Sequence, residues 1–169
     1  NPSSAVTLNG GTLQGNFPSD TTVNNTITVG SSWGTLRNMG SDSQRWIMGA
    51  NQIYGSGSLT LAFGSQNTRF TMASAQNNFT GKWIVNSGGN VNRFVDLNYA
   101  SGNGFGAATG DDAITFQNDS GILIRNGLAL GSPSQGITLG SGRAKISVAS
   151  TSTGTIAGKI SGPAGNNVQ

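Results

Sequence analysis

Residues 77–89 read NNFTGKWIVNSGG. Asn77 and Asn78 suit a turn, and Gly81 permits a bend after the apolar Phe79. Trp83 and Val85 then fall on one face of a short strand, with Lys82, Ile84 and Asn86 on the other. Gly88 and Gly89 turn the chain again. The stretch is a strand of about five residues between two tight corners.

The rest of the chain repeats this plan. Strand-like runs are expected at 5–8, 22–29, 45–48, 58–63, 68–72, 82–86, 94–97, 113–116, 121–124, 136–139, 144–148 and 155–160. Between nearly all of them sit Gly, Asn, Ser or Asp. Gly, Ser, Thr and Asn make up about half of the 169 residues, only 9% are charged, and Glu is absent. Low charge with 34% hydrophobic content departs from the signature of disorder, and recurrent glycine argues against long helices.

Two architectures accommodate many short strands: an antiparallel sandwich or a parallel solenoid. Three features favour the solenoid. GSGSLTLAFG (55–64) echoes SQGITLGSGR (134–143), and TLNGGTLQ (7–14) echoes FQNDSGILI (116–124). Asn and Gly, which tolerate left-handed backbone, occupy the corners. Thr and Ser suit ladders between neighbouring strands. The expected fold is all-β, a right-handed parallel β-helix forming a single domain over 1–169. It would have about seven coils of roughly 20 to 25 residues and a rod length of about 30–35 Å. The expected core is Leu8, Val23, Ile27, Leu59, Leu61, Phe70, Trp83, Val85, Ile114, Phe116, Ile122, Ile124, Ile137, Leu139, Ile146, Val148, Ile156 and Ile160. Trp33, Trp46 and Trp83 are read as packing or edge residues rather than sugar platforms.

The opening stretch resembles the hallmark of the autotransporter-associated β-strand repeat family. There a leucine-rich strand and a polar stretch precede Asn, an aromatic, Thr-Gly, a short strand and a closing Gly. Here these are Leu59-Thr60-Leu61, then Asn77 to Gly81, Trp83 to Val85 and Gly88. The run IYGSGSLTL (53–61) is similar to the family's strand opener, and TIAGKISGPAGNNV (155–168) looks like that opener again, interrupted by Pro163-Ala164. The resemblance covers one full unit, about 53–160, and part of another. It implies an extracellular bacterial β-helix with a structural or adhesive role. It carries over no catalytic, cofactor or metal residues. Segments 64–76 and 87–106 are less regular than the repeat. Asn90–Arg93 and Gly102–Gly106 are expected as loops standing off the rod, with Tyr99 and Phe105 as the glycan contacts of an adhesive variant.

Chemistry has few footholds. TGDDAITF (109–116) resembles the Gly-Asp-Asp segment of polygalacturonases, also parallel β-helices, but their Asn-Thr-Asp, Gly-His-Gly and Arg-Ile-Lys segments have no counterpart. The reading is a polar turn before a buried strand, without catalytic residues. With no His and no Cys, nucleophilic triads, disulfides and a zinc site lack their side chains. A calcium site at Asp111, Asp112 and Asp119 is the remaining metal possibility. Asn24, Asn78 and Asn118 open Asn-X-Ser/Thr triplets. The sequence pI near 9.8 reflects few acids rather than a basic patch, since the net charge is +3 and the nine cations are scattered. Nucleic acid is not an expected partner.

No signal peptide is visible, and Asn1-Pro2 is no initiator, so a processed or excised chain is expected. The ends show no polar cap. A solenoid with open ends stacks on adjacent repeats or head to tail on other copies of itself, which is the expected partnership.

Overall fold

The computed structural model describes residues 4–40, 44–64, 67–89, 93–98 and 105–163. They contain strands and no helix. Each turn of chain visits up to three faces in a fixed order, a third face, a long face and a second face. The first turn is β1 (Val6–Leu8), β2 (Gly11–Gly15) and β3 (Thr21–Val23); the next is β4 (Ile27–Val29), β5 (Trp33–Asn38) and β6 (Arg45–Met48). Then come β7 (Ile53–Gly55), β8 (Ser58–Phe63) and β9 (Arg69–Met72), followed by β10 (Trp83–Asn86) and β11 (Phe94–Leu97). The last are β12 (Gly110–Gln117) and β13 (Gly121–Ile124), β14 (Ala129–Leu130), β15 (Gln135–Leu139) and β16 (Lys145–Val148), and β17 (Thr155–Ile156) and β18 (Ile160–Ser161).

Every pairing is parallel and joins a strand to its counterpart one turn away. The long face stacks β2, β5, β8, β10, β12, β15 and β18, and the second face β3, β6, β9, β11, β13 and β16. The third face is broken into β1-β4-β7 and β14-β17, and the bridge Gly55–Phe79 extends the first group by one turn. The molecule is a parallel β-solenoid of about six turns, not the seven expected. Seven long-face strands enclose six intervals, so the stack rises about 29 Å. One turn is also longer than anticipated: Trp83 pairs with Ile114, whereas Leu59 pairs with Trp83 and Ile114 with Ile137.

Period-two alternation sorts side chains into columns. Leu13, Leu36, Leu61, Val85, Phe116 and Leu139 stack in register along the long face. Trp46, Phe70, Val95, Ile122 and Ile146 do so along the second. The expected core is buried except at its margins. Val23 and Ile146 are half-buried, and Val148, Ile156 and Ile160 are 44%, 40% and 40% exposed. These three belong to the final strands, where no further described strand lies over them. Of the tryptophans read as packing or edge residues, Trp46 and Trp83 are buried and Trp33 is 49% exposed at the edge of the long face. The first sequence echo is a true structural equivalence, since Leu59 and Ile137 share a column through Trp83 and Ile114. The second is not: 7–14 spans third and long faces, whereas 116–124 spans long and second.

The opening stretch is now explained by its neighbours. Asn77 donates its backbone N–H to Asn51 Oδ1 at 2.9 Å, tying the two corners. Phe79 is fully buried, edge-on to Trp83 with ring centroids 4.8 Å apart. The Thr80 backbone N–H and hydroxyl both donate to Gly55 O, at 3.0 and 3.3 Å. A Cβ on Gly81 would stand 1.9 Å from Gly57 O, so the corners can stack only because Gly81 has none.

Candidate functional site

Asp111 and Asp112 lie at the start of β12, where the ladder to β15 slips: Gly110 pairs with Gln135, but Ile114 pairs with Ile137. Two extra residues bulge from β12, and a bulge re-aims its side chains. Asp112 meets the Lys82 ammonium of β10's approach, and Asp111 lies 3.7 Å from Lys159 Nζ. Both pairs are half or more exposed, and exposed pairs contribute little to stability. Gly136 makes the bulge possible, because a Cβ there would come within 2.1 Å of Asp111 O.

The calcium constellation does not form. Asp119 lies beyond the opposite end of β12 from Asp112 and accepts from the Arg143 backbone N–H at 2.7 Å. Among the described residues no three acidic, His or Cys side chains lie together. The adhesive contacts are corrected too. Phe105 does not stand off the rod: it is fully buried, edge-on to Trp83 at 5.4 Å, and its carbonyl accepts from Trp83 Nε1 at 3.0 Å. A large ring beside an open core column gains more from burial than from water. Arg93 likewise turns inward, donating from Nη1 to Ser87 O at 2.6 Å. Residues 90–92, Tyr99 and residues 102–104 lie outside the described residues.

Sequence reading missed the feature richest in unsatisfied chemistry, the outer surface of the second face. Arg45 and Arg69 are direct ladder partners, so two guanidinium side chains rise from adjacent strands. Like charges so placed repel unless a counter-charge intervenes. Asp20 supplies one, with Oδ2 3.6 Å from Arg45 Nε. Arg69 stacks instead over the Phe94 ring, 4.6 Å from its centroid. Burial, with Arg45 next in importance, pushes the Arg69 guanidinium below its ordinary pKa. Its Nε has no hydrogen-bond partner, nor does Asp96 Oδ2, although Asp96 is buried and its Oδ1 accepts from Arg125 Nε at 2.8 Å. The only advance signal was Arg at corresponding places in RWIM and RFTM, which becomes meaningful only when those strands stack.

These features define a β-solenoid with decorated faces. Comparison with family models, curated proteins and solved structures yields no match.

Proposed function

We propose that the chain is a non-enzymatic extracellular structural protein, a rod or filament subunit that stacks end to end on itself or on neighbouring repeats. The observation that carries this reading is the state of the two end turns. At one end Val148, Ile156 and Ile160 continue buried columns yet are exposed. At the other, Val6, Leu13, Phe17 and Val23 line an apolar hollow of about 280 Å³ that reaches down to Trp46. Covering the exposed two-fifths of one such aliphatic side chain contributes about 1 kcal/mol, and no further described strand pairs with the end strands. An incoming turn in parallel register satisfies both. Low charge assists, since few like charges meet across the junction.

The extracellular assignment rests on the resemblance of IYGSGSLTL and NNFTG to the autotransporter-associated repeat. The test is negative-stain imaging and sedimentation of the purified chain over a range of concentrations. Fibres or elongated oligomers are expected, and Ile160→Lys with Val148→Lys, which place charge on the stacking surface, should return monomers. A wild-type chain that stays monomeric at high concentration would defeat self-stacking.

A further inference from the structure

The second face carries an outward row at one register position: the half-buried Arg45, Arg69 and Phe94, the buried Gly121 and the exposed Lys145, one residue per strand. Strand spacing of about 4.8 Å puts Arg45 and Lys145 about 19 Å apart along the rod. Between Phe94 and Lys145 the row dips. Gly121 has no side chain, and the space it leaves is a hollow of about 60 Å³ walled by Phe94, Leu123, Lys145 and Ser147. Neither Arg69 nor Lys145 makes an ion pair among the described residues. Arg69 Nε and Arg45 Nε are buried donors without a hydrogen-bond acceptor. Asp20 answers Arg45, and Asp96 is buried and engaged by Arg125.

We infer that this row binds a linear acidic polysaccharide laid along the rod, with sugar carboxylates on Arg69 and Lys145 and a sugar ring against Phe94 over the Gly121 hollow. The chemistry is complementary on three counts. Guanidinium pairs with carboxylate through directed hydrogen bonds, and the half-buried Arg69 makes no ion pair among the described residues. Phe94, half-buried with the Arg69 guanidinium 4.6 Å from its ring centroid, adds apolar surface for a sugar's C–H face. The cations are spaced by whole strand intervals, so a repeating polymer of anions meets them without bending, which an isolated anion does not exploit. A duplex nucleic acid fits poorly, because its charge density far exceeds that of this row, in which Arg45 and the neighbouring Arg125 are already answered by Asp20 and Asp96. This inference stands whether or not the rod self-stacks.

Gel retardation in polygalacturonate, with a neutral dextran gel as reference, tests it. The chain should be retarded by polygalacturonate alone, and less so as salt rises. Arg69→Gln and Lys145→Gln should each weaken binding about tenfold, the loss expected for one charged hydrogen bond. Lys82→Gln, which removes the same charge from the long face, should change it less than twofold. Lys145 is exposed, so its variant remains decisive if Arg69→Gln perturbs folding. Equal retardation by dextran, a Lys82→Gln loss as large as that of Lys145→Gln, or equally tight binding of duplex DNA would each overturn the proposal.

Discussion

Glycines at corners do two separable jobs in this chain. Gly55 has φ +103°, and a Cβ there would lie 1.9 Å from Val29 O. Gly89 has φ +90° but open space around it. Gly89→Ala should therefore cost only backbone strain, about 1–2 kcal/mol, whereas Gly55→Ala adds collision with the turn below. The expected order is a melting temperature lowered by a few degrees for Gly89→Ala and by at least about twice that for Gly55→Ala, read by thermal unfolding. Comparable shifts would show that packing between corners is slack. Asp96 gives a second prediction at this scale. Arg125→Ala leaves a buried carboxylate without its ion partner and should destabilise by about 3–5 kcal/mol, measurable by denaturant titration.

Strands were legible where a run alternates and is bounded by Gly or Asn. Arg45–Met48, Ser58–Phe63, Phe94–Leu97 and Gly121–Ile124 lie where the pattern places them. Residues 22–29, expected as one strand, are two, β3 and β4, with a corner over Asn24–Thr26. Asn25 Nδ2 donates to Ser4 O at 2.8 Å, fixing that corner through a residue in the previous turn that local pattern does not reveal. β5 was missed because Gly34 interrupts the run; its missing side chain makes room for Leu8, whose Cβ would lie 2.8 Å from an added Cβ. The bulge in β12 was invisible for a similar reason, since it depends on the partner strand. Gly136→Ala should expel the Asp111 backbone from its seat. The expected outcome is faster amide hydrogen exchange across residues 110–114 and 135–137, with exchange in β8 unchanged. Uniform acceleration along the rod would show instead that the bulge governs the whole stack.

A solenoid's stability is close to a sum of neighbouring-turn contributions. Phe79, Trp83 and Phe105 form one aromatic chain at mid-rod, so Phe79→Ala should cost about 3–5 kcal/mol and open the adjacent turns first. The sequence by itself determined the local grammar: where chain extends, where it turns, which residues face inward, and the absence of His and Cys chemistry. Those properties follow from side-chain period and backbone allowance within a few residues. Tertiary structure decided what lies above what. Register between turns placed Arg69 on Arg45 and beside Phe94, drew Phe105 into the core and left Val148, Ile156 and Ile160 at an end. Each of these relations joins residues more than twenty apart or depends on what stacks on the last turn, and residue order along the chain does not encode them until turns of unequal length are laid on one another.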